Sequence, residues 1–179
     1  EKVSYGLKDI NQKIAIFKKF RCSFAKWKVE FNIYKNSISN KNINTNVNTL
    51  MKFIALCKKN NILPMIETDL TRRTKYSLDV SKKITEKIYD ILNYNLKKKN
   101  FNIDVLFKTN IIYPGYGQKL NHKISSQLTN EYIEQKIPKN IKKIFFLSGG
   151  EKDHKVIKAI KFLDKKKNRK YSFAFGRGF

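Results

Sequence analysis

The sequence has no apolar run approaching the ~20 residues that a membrane-spanning helix needs, and no signal-peptide pattern opens it. A membrane role is therefore not expected. His122 and His154 stand singly, and no grouping of His, Asp or Glu offers metal-ligand spacing, so no metal is expected. The two cysteines, Cys22 and Cys57, lie inside apolar patterns and read as buried thiols of a reducing compartment. Arginine is scarce as well. Only five of the 39 basic residues are Arg (Arg21, Arg72, Arg73, Arg169 and Arg177), whereas direct base readout favours Arg. The net charge of +25 is thus carried by lysines spread along the chain. They accompany an excess of Asn and Ile, residues that share A/T-rich codons with Lys. A diffuse, solvated lysine surface with weak, salt-sensitive affinity for polyanions is expected, without specific nucleic-acid binding.

What is present is enough for one domain spanning residues 1–179: 41% of the residues are hydrophobic and 13% aromatic, with no internal repeat and no linker. The chain runs from Glu1 to Phe179, just after Gly-Arg-Gly, and reads as a piece of something longer. Apolar residues at helical spacing mark Leu7–Phe20. Cys22–Ile33 alternates, with Lys26 and Lys28 opposite Trp27, and reads as a strand. Tyr34–Asn48 is rich in Asn and Ser and reads as a loop leading into a helix that ends near Asn60-Asn61. Then come strand ILPMIE ending at Glu67, a helix from Ser77 to Lys99, and a strand from Ile103 to Phe107 that runs into Lys108. A helix around Ser125–Gln135, strand IKKIFFLS, a helix from Glu151 to Lys165 and strand KYSFAF complete the chain. Strict alternation of strand and helix predicts a parallel sheet with right-handed crossovers. An open doubly wound sheet and part of a (β/α)8 barrel both fit that order.

Each strand delivers something polar near its C-terminal end: Lys26, Glu67, Lys108, Ser148-Gly149-Gly150 and Gly176-Arg177. Ligands bind at that edge of parallel α/β folds, and in a barrel several strands converge on one site there. The two glycine turns, one with a guanidinium beside it, offer backbone N–H groups to a phosphate. A lysine ending an apolar strand is costly to keep charged, and a neutral lysine attacks carbonyls.

The segments FAKWK (24–28), NILPMIE (61–67), VLFKTN (105–110), FFLSGG (145–150) and FGRG (175–178) together resemble class I fructose-bisphosphate aldolase, from its fourth barrel strand to its eighth. The resemblance covers nearly the whole chain and about half of the family's length. It implies a partial TIM barrel of about five parallel strands. It further implies reversible aldol cleavage of fructose 1,6-bisphosphate in cytoplasmic glycolysis, and a sugar phosphate substrate. No cofactor is implied beyond a covalent imine through Lys108, and the family's tetramer is the implied oligomer. Carried over by position, Lys108 matches the Schiff-base lysine and Glu67 the acid/base glutamate. Lys26 matches a lysine that touches the sugar hydroxyls. Ser148, Gly149, Gly176 and Arg177 match the pocket for the C1 phosphate, and Lys28 stands at a substrate-binding position.

Departures from the family pattern are also plain. Lys28 replaces an arginine and loses its planar fork. Asp69 replaces the second glutamate of a Glu-Pro-Glu, and Thr109 replaces the proline after the Schiff-base lysine. Ala174 and Phe175 replace a serine and a tyrosine. The family's strand-one aspartate, strand-three lysine and C-terminal tail lie outside this sequence. The alternative reading is accordingly a truncated or decayed paralogue without turnover that serves as a binding or scaffold protein.

Overall fold

The computed structural model describes residues 9–101, 103–139, 141, 143–163 and 169–174. Five helices and five strands alternate: α1 (Ile10–Lys19), β1 (Phe24–Asn32), α2 (Asn40–Lys59), β2 (Leu63–Thr71), α3 (Leu78–Lys99), β3 (Leu106–Thr109), α4 (His122–Lys136), β4 (Lys143–Phe146), α5 (Asp153–Ile160) and β5 (Lys170–Phe173). The strands form one sheet in the order β1-β2-β3-β4-β5, and every neighbouring pair is parallel. The order never reverses. An open doubly wound sheet has a switch point where it does, so the sequential order bears out the barrel that the resemblance implied over the other architecture that alternation allowed.

The core lies between the sheet and its helices. Val29, Phe31, Ile66, Phe107, Ile144 and Phe146 are buried, alternating along their strands with residues of the opposite face. Against them pack Ile43, Val47, Leu50 and Ile54 of α2, Ile84, Ile88 and Leu92 of α3, Tyr132 and Ile133 of α4, and Val156 and Ala159 of α5. Each fully buried side chain of this size is worth about 1.5–3 kcal/mol. Trp27 faces this layer, its ring 5.8 Å from that of Phe53, so it packs away from Lys26 as its place in the alternation required. Among the described residues, no helix is long and apolar enough to cross a membrane.

Three expectations need correction. The Asn/Ser-rich stretch is not loop throughout, because α2 begins at Asn40. Asn is a poor helix former. Here Ser39 caps the helix, accepting from the Asn42 backbone N–H at 3.1 Å, and burial of Ile43, Val47, Leu50 and Ile54 outweighs the local preference. The third strand sits later than expected, at Leu106–Thr109, so that Lys108 is inside it. Cys22 is exposed, because it belongs to the turn before β1, its N–H bonded to the carbonyl of Phe17 at 2.9 Å. Only Cys57 is buried, and burial pushes its thiol pKa up to about 12.

Asn also has a use in the connections. Asn61 and Asn100 adopt left-handed backbone (φ 54° and 41°) where α2 and α3 give way to the next strand, a conformation Asn tolerates better than most residues. The Ser39 cap is checkable. Ser39→Ala should lower stability by ~1 kcal/mol in urea unfolding, with most of the loss recovered in Ser39→Asp.

Candidate active site

The site follows from alternation and register. In β1 the side chains of Lys26, Lys28 and Glu30 leave the sheet on the face opposite Trp27, Val29 and Phe31. Register then sets Lys28 beside Glu67 and Glu67 beside Lys108 on the next two strands. On this inner face Lys26 Nζ lies 2.8 Å from Glu67 Oε2, and Lys108 Nζ lies 3.5 Å from the same oxygen. Glu67 is 4% exposed and Lys108 is 7% exposed, while the Lys26 side chain is 42% exposed. One carboxylate therefore stands between a solvent-facing ammonium and a buried one.

Lys28 is held beside this group. Its Nζ lies 2.7 Å from Asp69 and 2.9 Å from Glu30. Burial lowers the Lys28 pKa, but the hydrogen bonds and charges of Asp69 and Glu30 outweigh it, and the net effect is a raised value. Asp69 in turn accepts from Asn110 Nδ2 at 3.1 Å, and Asn110 Oδ1 accepts from the Leu70 N–H at 2.7 Å.

Behind the site, one residue further along each strand, Thr68 pairs with Thr109. The Thr68 hydroxyl donates to Thr109 Oγ1 at 3.1 Å, and the Tyr89 hydroxyl lies 2.9 Å from the same atom. Tyr89 is fully buried and meets Phe107 edge-on at 5.7 Å. The threonine after Lys108 thus has a defined place: it ties β3 to β2 and to α3 one residue beyond Lys108.

The turn after β4 completes the described part of the site. Gly149 and Gly150 have φ of +59° and +84°, and the Glu151 N–H bonds to the Ser148 carbonyl at 3.0 Å. Two successive left-handed residues make this a tight turn that glycine suits. A Cβ on Gly149 would also come to 3.2 Å from Asn110 Nδ2. Lys26, Lys28, Glu67, Lys108, Ser148 and Gly149 all line one open cleft of about 1200 Å³ at the C-terminal edge of the sheet. Gly176 and Arg177 lie outside the described residues.

Sequence reasoning missed Arg72 and Glu151, which line the same cleft. Arg72 Nη1 lies 2.7 Å from Glu151 Oε1, and Arg72 Nε donates to the Pro114 carbonyl at 2.7 Å. The partners are 79 residues apart in the chain, and no local pattern joins them.

The fold and this inner face define an α/β-barrel segment whose C-terminal rim gathers lysines around a buried carboxylate, beside a glycine turn. The comparisons with known proteins carry that further. The family model for class-I fructose-bisphosphate aldolase matches residues 1–179, and the chain belongs to that family. It is 27% identical over 183 residues to fructose-bisphosphate aldolase 2 of Caenorhabditis elegans, covering 99% of this chain and 50% of the relative. It is 28% identical over 155 residues to the Drosophila melanogaster fructose-bisphosphate aldolase, covering 86% of this chain and 43% of the relative. The chain thus spans about half the length of the curated relatives it matches. Among solved structures, the fructose-bisphosphate aldolase of Plasmodium falciparum, in a complex with TRAP and a small-molecule inhibitor, superposes with a TM-score of 0.90 at 21% identity. That match covers 99% of this chain and 53% of the other. A 3-keto-D-glucoside 4-epimerase of E. coli shares the architecture more distantly, with a TM-score of 0.54 at 12% identity over 96% of this chain and 68% of the other.

The Arg72–Glu151 pair makes a pH prediction. Burial raises the Glu151 pKa, but hydrogen bonding and charge from Arg72, with Lys155 at 3.6 Å, hold it below its ordinary 4.5. A depressed carboxylate stabilises the fold fully above its unfolded pKa and progressively less as pH falls through the folded value. Glu151→Gln should therefore cost about 1–3 kcal/mol at pH 7, and the gap should narrow steadily below pH 4.5. Urea melts of both proteins from pH 7 to pH 3 measure it; a gap that stays constant would count against the pairing.

Proposed function

We propose that this chain carries the imine-forming half of a class I fructose-bisphosphate aldolase site and acts on a sugar phosphate in cytoplasmic glycolysis. The observation that carries the reading is the shared oxygen: Glu67 Oε2 lies within 3.5 Å of the buried Lys108 and within 2.8 Å of Lys26, at a strand-end rim of this family.

In this reading Lys108, once it has passed a proton to Glu67, attacks the ketose carbonyl carbon through Nζ. The carbonyl π electrons move to oxygen, and the proton that the attacking nitrogen then sheds passes to that oxygen, giving a neutral carbinolamine. Glu67 returns a proton to that hydroxyl, water leaves, and the nitrogen lone pair forms the iminium. The iminium then accepts the electron pair released when the neighbouring carbon–carbon bond breaks, leaving an enamine on Lys108 and a free aldehyde. The hydroxyl that becomes the aldehyde oxygen gives up its proton in that step to Glu67, a carboxylate again once water has left. Lys26, exposed at the mouth of the cleft, contacts the sugar hydroxyls. The Ser148–Gly149 turn, with Gly176 and Arg177, holds the phosphate through backbone N–H groups and the guanidinium. The electrophile is the covalent imine, so no metal or organic cofactor is invoked.

A second reading keeps the imine and gives up turnover. It is favoured by Lys28, which sits at a substrate position but is held by two carboxylates, and by the hydroxyls lost at Ala174 and Phe175.

Trapping separates these outcomes. Borohydride added with dihydroxyacetone phosphate should fix the ligand irreversibly on Lys108, and the modified peptide should disappear in Lys108→Met. Glu67→Gln should form the adduct about a hundredfold more slowly or worse. Cleavage of fructose 1,6-bisphosphate alongside trapping supports the full reaction, whereas trapping alone supports the second reading. Label scattered over surface lysines, or none on folded protein, would sink both.

A further inference from the structure

We infer that Arg72 is a positioning residue that fixes the Ser148–Glu151 turn from the neighbouring loops and thereby sets how tightly that turn holds a phosphate. The inference rests on the reading of the turn as the phosphate cradle and adds a residue to it.

The physical need comes from the turn itself. Two consecutive glycines have more backbone freedom than any other pair, so a cradle built on them loses much entropy when it closes around a ligand. An external restraint reduces that loss. The restraint has to act on Glu151, because Glu151 is the residue whose N–H closes the turn onto the Ser148 carbonyl. Arg72 acts there. It grips Glu151 Oε1 through Nη1 and the Pro114 carbonyl through Nε, each at 2.7 Å, with its guanidinium over the Tyr113 ring at 5.2 Å. The side chains of Arg72 and Glu151 are 11% and 14% exposed, so water screens the pair little. Lys155 lies 3.6 Å from the other carboxylate oxygen of Glu151.

The anchor end is firm. The loop after β3 is bonded to the loop after β2 through Gly115 N–H to Tyr76 carbonyl and Tyr116 N–H to Thr74 carbonyl, both at 2.9 Å. A Cβ at Gly115 would run into the Thr74 carbonyl oxygen, so the two loops touch at backbone distance. Arg72 therefore transmits a rigid two-loop platform to the flexible glycine turn. Only a planar fork makes both bonds at once, and a lysine offers a single point charge. The adjacent Arg73 does not share the role: it points to Glu30 at 3.5 Å and is 61% exposed.

The test titrates the intact protein with inorganic phosphate and follows the amide resonances of Gly149 and Gly150. Saturable shifts of both are expected, and Arg72→Met should weaken the fitted affinity about tenfold, the loss expected for removing buried charge-assisted hydrogen bonds. Arg72→Lys should restore little of it. Glu151→Gln should weaken binding in the same direction, and the Arg72→Met/Glu151→Gln double variant should be no weaker than Arg72→Met alone. Should Arg72→Met fail to fold, Arg72→Lys and Glu151→Gln carry the comparison. Equal affinity in wild type and variants overturns the inference, and so does wild-type protein whose Gly149 and Gly150 resonances ignore phosphate. The readout needs no imine. Failure of borohydride trapping at Lys108 would therefore strike the proposed reaction while leaving this result standing.

Discussion

The structure turns on a carboxylate that it cannot afford to leave alone. Glu67 is 4% exposed, in the middle of a parallel sheet, where an unpaired charge costs several kcal/mol. Its compensation comes from the strands on either side: Lys26 from β1 and Lys108 from β3 meet at the same oxygen. That meeting needs the register of both strand pairs to be right at once, since a slip of one residue would turn each side chain to the helix face. The helix layer supplies the restraint. Val29, Ile66 and Phe107 alternate with the site residues on the three strands, so burying the first set presents the second.

The departures from the family pattern have structural accounts on both sides of the sheet. Thr109, where the family has proline, bonds with Thr68 and Tyr89, so the strand is tied by hydroxyls at the residue after Lys108. Lys28, where the family has arginine, is drawn into a cluster with Glu30 and Asp69. A point charge suits that three-way arrangement, and the shorter Asp69 is bridged onward to Asn110.

Arginine is rare in this chain, and among the described residues two are placed where a fork is needed. Arg169, 6% exposed at the entrance to β5, donates to the carbonyls of Ile137 and Ile141 and pairs with Glu134 at 3.1 Å. Arg72 joins a carbonyl and a carboxylate at the opposite end of the strands. Both satisfy more than one acceptor from a single guanidinium, fully buried at Arg169 and partly buried at Arg72. The abundant lysines instead supply single charges, as Lys136 does for Glu86 and Asp90 across α3 and α4.

The strand–helix alternation, the placement of Lys26 and Lys28 on the face opposite Trp27, and the gathering of Lys26, Glu67 and Lys108 at one strand-end rim were legible in the sequence. The faces of β1 follow from a period of two, the helices from their own apolar spacing, and the shared rim from parallel strand–helix alternation. The helical start at Asn40 was not legible, because burial of Ile43 and Val47 against the sheet decided it over a poor local propensity. Nor was the exposure of Cys22, which depends on where β1 begins. Alternation alone left barrel and doubly wound sheet open; the family resemblance implied the barrel, and strand order, a property of the assembled sheet, bears it out. Distances are tertiary too. That Lys26 and Lys108 converge on one oxygen, and that Arg72 reaches Glu151 across 79 residues, depends on how neighbouring strands and loops are set side by side, which no local period records.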